Sequence, residues 1–160
     1  SLAPLKEAYR TRVFEVEDKD RFGKAQVSFL PVLCNQCDNA PCVDVCPTGS
    51  SLKREEDGIV LVIPEMCIGC KACMVACPYN ARYYDEEAHT VDKCTFCFPR
   101  IATGLKPACV NTCVGESRVF GDLNDPQSKV SKLVRDATSI TRLKESFGAK
   151  PNVYYVTVNN

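Results

Sequence analysis

Twelve cysteines among 160 residues, against one histidine and no tryptophan, are the side chains in this sequence best placed to do chemistry. They fall in three groups of four: Cys34, Cys37, Cys42 and Cys46; Cys67, Cys70, Cys73 and Cys77; Cys94, Cys97, Cys109 and Cys113. So many thiols serve as disulfide staples, zinc ligands or iron–sulfur ligands. Disulfides dominate in shorter secreted chains, and 160 residues can bury a core without them. Zinc prefers C-x2-C pairs separated by a longer loop and seldom crowds four cysteines within eleven residues, as the middle group does. Only the third group, two pairs split by a gap of eleven, has spacing that zinc alone would accept. The C-x3-C-x2-C order of radical enzymes using S-adenosylmethionine does not occur.

The middle group reads C-I-G-C-K-A-C-M-V-A-C-P, the C-x2-C-x2-C-x3-C-P run of bacterial ferredoxins. Cysteines at that spacing wrap one [4Fe–4S] cube, because the tight loop turns its backbone amides toward the sulfurs. The closing proline stops the short helix that follows. The first group, C-N-Q-C-D-N-A-P-C-V-D-V-C-P, is the same run with two residues added between its second and third cysteines.

The elements that must hold these loops repeat with them. After Cys46-Pro47 come Ser51-Leu52-Lys53, a turn at Asp57-Gly58, and a strand-like run from Ile59 to Ile63 leading to Cys67. After Cys77-Pro78 come Ala81-Arg82-Tyr83-Tyr84, an acidic turn, and His89 to Asp92 leading to Cys94. Both read as cluster loop, short helix, strand, turn and strand. The expected fold is therefore α+β: ferredoxin-like duplicated cluster-binding units with short helices and small antiparallel strand pairs, followed by a C-terminal helix-and-strand tail. In such a duplication the fourth cysteine of each run ligates the other cluster. Cys34, Cys37, Cys42 and Cys77 are thus expected to share one cluster, and Cys67, Cys70, Cys73 and Cys46 a second.

Composition excludes several other functions. Lys and Arg number 20, as do Asp and Glu, so nothing marks a nucleic-acid surface or a polybasic membrane anchor. The longest aliphatic run is Ile59–Ile63, far short of the roughly 20 apolar residues that span a bilayer, so direct membrane insertion is not expected. No phosphate loop or catalytic constellation is present, and His89 sits in an acidic turn without an oriented partner. A cube held by four thiolates has no open coordination position, so the expected role is one-electron transfer. Lys71 and Lys93, next to ligands, either raise cluster potentials or are simply solvated. Tyr79, Tyr83, Tyr84, Phe96 and Phe98 read as core around the clusters, shielding them from water.

The chain resembles the iron–sulfur subunit of the respiratory molybdopterin oxidoreductases, the tetrathionate, thiosulfate, polysulfide, arsenate and dimethyl sulfoxide reductases. The resemblance runs through L-C-N-Q-C-D-N-A-P-C-V-D-V-C-P-T-G, C-I-G-C-K-A-C-M-V-A-C-P-Y-N-A-R-Y, K-C-T-F-C, P-A-C-V-N-T-C and F-G-D-L-N-D-P-Q-S-K-V. It implies a non-catalytic subunit passing electrons between a molybdenum or tungsten bis-pterin catalytic subunit and a quinone-linked membrane subunit. It also implies a place on the periplasmic side, exported with its partner, or in the cytoplasm, in either case at the membrane through partners. A free soluble polyferredoxin is the alternative carrier, and a structural zinc protein the alternative outside that chemistry.

Family members usually carry a further cysteine run before the first one found here, and Ser1 begins where it would have ended. In the family that run pairs with the last group. Cys94, Cys97 and Cys109 then either take Cys113 as fourth ligand, giving three clusters, or borrow a ligand from the missing run, giving four. The expected division is an N-terminal segment 1–33, a remnant following the missing motif; a two-cluster unit 34–93; a third cluster motif 94–119; and a tail 120–160 packing on its own domain or on a partner. In the tail, Asp125-Pro126 reads as the start of a helix through about Ala137 with Val130, Leu133 and Val134 on one face, and Val153–Val156 as a strand.

Overall fold

The computed structural model describes residues 9–19 and 22–157. It opens on a hairpin that was not expected within the N-terminal segment. Strand β1, Thr11–Lys19, pairs antiparallel with β2, Ala25–Leu33, from Thr11 opposite Leu33 to Lys19 opposite Ala25. Alternation is its sequence signal: Phe14 and Val16 interleave with Glu15 and Glu17, and Gly23 at φ +80° serves the turn. Residues 1–8, where that segment begins, lie outside the described residues.

The next elements come twice in the same order. Helix α1 (Pro41–Asp44) leads to β3 (Ser51–Lys53) and β4 (Val60–Val62); helix α2 (Ala72–Ala76) leads to β5 (Arg82–Asp85) and β6 (Thr90–Lys93). Each strand pair is a two-stranded antiparallel ladder, Ser51 opposite Val62 in one and Arg82 opposite Lys93 in the other. Helix α1 begins at Pro41, whose missing N–H costs nothing in a first turn. The two helices pack on each other, and β4 lies beside β6.

The third cysteine group surrounds α3 (Phe98–Ile101) and α4 (Ala108–Asn111), with Cys109 in α4 and Cys94, Cys97 and Cys113 beside the two helices, and the tail forms α5 (Lys129–Asp136), β7 (Ser139–Thr141) and β8 (Tyr155–Thr157), the last two paired antiparallel. The architecture is a small α+β fold of short helices and two-stranded ladders. Helix α5 starts later than the sequence suggests. The Asp125 carboxylate accepts the Gln127 amide at 2.9 Å in a local turn, and the Ser128 hydroxyl, accepting the Ser131 amide at 3.2 Å, caps the helix instead. Val130, Leu133 and Val134 do share its half-buried face. The final strand begins at Tyr155 rather than Val153.

The core is small and sulfur-rich: Cys37, Ala40, Cys42, Val60, Cys73, Tyr79, Val91 and Ala149. Ala149 comes from the tail, which straps across the first cysteine loop. The Asp38 and Asn39 amides donate to the carbonyls of Lys150 and Ala149 at 2.9 and 3.1 Å, and the Asn152 amide donates to the carbonyl of Asn35 at 2.9 Å. Among the described residues no helix is long and apolar enough to cross a membrane.

Candidate metal centres

All twelve cysteines are free thiols, and eight of them line two cavities. The first cavity is bounded by Cys34, Cys37 and Cys42 from the loop before and within α1, and by Cys77 from the end of α2. Tyr79, Val60 and Pro41 complete much of its wall. The loop is tightly held. Gln36, buried with φ +48°, accepts the Val60 amide on its side-chain oxygen at 2.8 Å and donates to the Cys94 carbonyl at 3.2 Å. Burial, reinforced by the neighbouring Cys34 sulfur, pushes the Cys37 thiol up to about 11, and burial also raises Cys42.

The second cavity is bounded by Cys67, Cys70 and Cys73 together with Cys46, which reaches in from the end of the first run. The two cavities have the same lining chemistry, four cysteine sulfurs and the Arg82 guanidinium, so they suit occupants of one kind. Burial works against the Cys46 thiolate, but the Ser51 amide, donating to its sulfur at 3.3 Å, and Thr48 outweigh it and lower its pKa. The Val91 amide likewise points at the Cys67 sulfur, at 3.5 Å. The C-I-G-C turn needs its glycine: Gly69 has φ +67°, and a Cβ there would lie 2.8 Å from the His89 carbonyl oxygen and 3.2 Å from the Tyr84 ring.

The last four cysteines are arranged differently. Cys94 is half-buried, its thiol raised to about 11 by desolvation and close enough to feel Cys34 and Cys109. Cys113 lies apart near solvent, its sulfur 3.2 Å from the Ser117 hydroxyl, which together with Arg118 lowers its pKa. Cys97 caps α3 in the left-handed region at φ +53°. Phe96 packs edge-on against Phe120, the Arg54 guanidinium lies over the Phe98 ring, and Tyr83 donates to Asp92 at 2.6 Å, so of the five aromatic residues only Tyr79 lines a cavity. His89 is exposed at its turn.

Two cations are buried at these centres, which sequence reasoning missed. Lys93, read as at least as well placed in solvent, is 1% exposed, its ammonium donating to the carbonyls of Val60 and Cys94. Arg82, opposite it on β5, is 2% exposed and lines both cavities. Neither forms an ion pair with a carboxylate among the described residues. Lys71, in contrast, is exposed, with its ammonium 3.8 Å from the centre of the Tyr84 ring. Burying a positive charge is costly unless anions lie nearby. Among the described residues no group of His, Cys, Asp and Glu converges closely enough to hold a single metal ion. Four thiols spread around each cavity, with the buried Arg82 guanidinium bordering both, fit a larger, all-thiolate, anionic group such as a [4Fe–4S] cluster.

The 4Fe-4S dicluster domain family matches residues 25–123, the stretch that holds every cysteine and both cavities. The chain belongs to this family. Among its relatives, a tetrathionate reductase subunit of Salmonella typhimurium is 45% identical over 96% of the chain and 62% of its own length. A polysulfide reductase polypeptide of Wolinella succinogenes is 48% identical over 77% of the chain and 64% of its own length. A putative dimethyl sulfoxide reductase iron-sulfur subunit of Halobacterium salinarum is 41% identical over 84% of the chain and 57% of its own length. The chain therefore spans less than two thirds of the length of each of these three relatives.

Proposed function

We propose that the chain is the electron-transfer subunit of an oxidoreductase complex, carrying electrons through [4Fe–4S] clusters between a molybdenum or tungsten bis-pterin catalytic subunit and a quinone-linked membrane partner. The observation that carries the reading is the pair of cavities, each bounded by four cysteines drawn from both runs. The reductase subunits to which the chain is similar support the choice of partner. In this reading Cys34, Cys37, Cys42 and Cys77 hold one cluster and Cys46, Cys67, Cys70 and Cys73 a second. Cys94, Cys97 and Cys109 hold a third, closed by Cys113 where three clusters are present; where four are, Cys113 serves the fourth. The crossed ligands make the two units one duplicated domain.

When bound, the clusters supply one-electron capacity and no open site for substrate. The chain's residues do the rest. The Ser51 and Val91 amides aim at cysteine sulfurs, and Tyr79, Val60 and the tail strap keep water from the first centre. Electron paramagnetic resonance of the dithionite-reduced protein should give signals from about three interacting cubanes, consistent with all-thiolate ligation. A colourless, silent protein refutes the reading, and purification without a molybdenum or tungsten subunit refutes the partner. Cys46→Ser should damage the cluster of Cys67, Cys70 and Cys73, whereas damage confined to that of Cys34, Cys37 and Cys42 refutes the crossing.

A further inference from the structure

Among the described residues, Arg82 is the single one common to the linings of the two cavities. Its guanidinium donates through Nη2 to the Ser51 hydroxyl at 2.6 Å, which fixes its orientation from the equivalent strand of the other hairpin. Its Nε and Nη1 are buried with no partner in good hydrogen-bond geometry, and, Ser51 apart, the acceptors closest to the guanidinium are the sulfurs of Cys42 in the first cavity and Cys73 in the second. Cys42 and Cys34 of the first cavity and Cys73 of the second lie close enough to stabilise its charge. Buried N–H groups and a buried positive charge without an anion are each costly, so the site is complete only when negative groups fill the cavities beside it. Lys93, its neighbour across the ladder, spends its ammonium on two carbonyls and so leaves Arg82 as the cation with free donors.

We propose that Arg82 is a fixed cationic wedge shared by the two clusters, raising the reduction potential of both at once. The proposal rests on the cluster-bearing reading above. An electron arriving at either centre adds one negative charge with no change of ligands, and the guanidinium already in place stabilises that charge without reorganising. Because it borders both cavities, one side chain sets two potentials. Lys71, exposed and engaged with Tyr84, borders the second cavity alone.

The test is a potentiometric titration, followed by electron paramagnetic resonance, of the native cluster-loaded protein and of Arg82→Gln and Arg82→Lys, with iron counted in each. In Arg82→Gln two clusters should each become at least tenfold harder to reduce, about 59 mV for a one-electron couple. Arg82→Lys, which keeps the charge, should restore most of that shift. Unchanged potentials in a fully loaded Arg82→Gln protein, or a shift in one cluster alone, overturn the shared role. Should Arg82→Gln lose iron, Arg82→Lys decides: potentials within tenfold of the parent support the wedge, and a tenfold loss despite the retained charge overturns it. Absence of iron and of signals in the parent protein would instead refute the cluster reading itself.

Discussion

Replacing Gly69 by alanine probes how tightly the second centre is built. The residue sits at φ +67°, where a side chain costs roughly 1–2 kcal/mol on backbone grounds alone. The added Cβ would also meet the His89 carbonyl oxygen at 2.8 Å and the Tyr84 ring at 3.2 Å. Neither neighbour yields freely, since His89 is held in the turn between β5 and β6 and Tyr84 has the Lys71 ammonium over its ring at 3.8 Å. Overpacking of that kind adds about 1–3 kcal/mol. Gly104 supplies the control, having φ +77° but no atom within 4 Å of its Cβ position. Summing both costs, Gly69→Ala should lose about 2–5 kcal/mol, and Gly104→Ala about 1–2. At about 2–4 °C per kcal/mol, the midpoints should fall by roughly 4–20 and 2–8 °C. Both should be read anaerobically on cluster-loaded protein, from visible absorbance and far-ultraviolet dichroism at one fixed heating rate, because such unfolding is kinetically controlled. Equal midpoints for the two variants would show that the contact with His89 and Tyr84 contributes nothing, and would refute the reasoning.

Ser128→Ala should remove the cap of α5 and cost about 1 kcal/mol, lowering the midpoint by about 2–4 °C with iron content unchanged. Asn152→Ala removes the bonds from its side chain to the Gln36 carbonyl at 2.9 Å and to Asp38 at 3.0 Å, so the strap should loosen and the first centre bleach faster in air, while the second keeps its rate. Stripping iron with a chelator should abolish protection from hydrogen exchange in β3 to β6, because a core containing three cysteines is completed by what they bind; slow exchange there in the iron-free chain would contradict this.

The cysteine runs and the strand pairs that follow them are legible because loop spacing and turn residues act locally. Asp57-Gly58 places the turn between β3 and β4, with Gly58 at φ +68°, and the acidic turn after Tyr84 does the same for β5 and β6. The start of α5 misleads because Asp125 and Ser128 are both capping types. Which one caps depends on competition: Asp125 closes a turn on Gln127, leaving Ser128 to the helix. The β1–β2 hairpin is overlooked for the opposite reason. Its alternation is present, but Val13, Phe14, Val27 and Phe29 remain exposed, so burial gives the pattern no weight.

Arg82 and Lys93 illustrate a deeper gap. Read from the sequence, a lysine or arginine is assigned to the surface because burial strips its hydration. That assignment fails when the compensating charge belongs to a group the sequence does not encode. Each oxidised cluster with its four thiolates would carry two negative charges, and Arg82 borders both of the cavities such clusters would fill, while Lys93, its partner across the ladder, is buried on the Val60 and Cys94 carbonyls. The same substitution of cofactor for side chains explains why α1 and α2 have only four and five residues. An amphipathic face has little to specify when the helix packs beside an inorganic core. Burial of charge and shortness of helix thus have a common cause, and in a chain this rich in cysteine an arginine five residues after the cysteine of a Cys-Pro pair is better read as a candidate counter-ion than as surface.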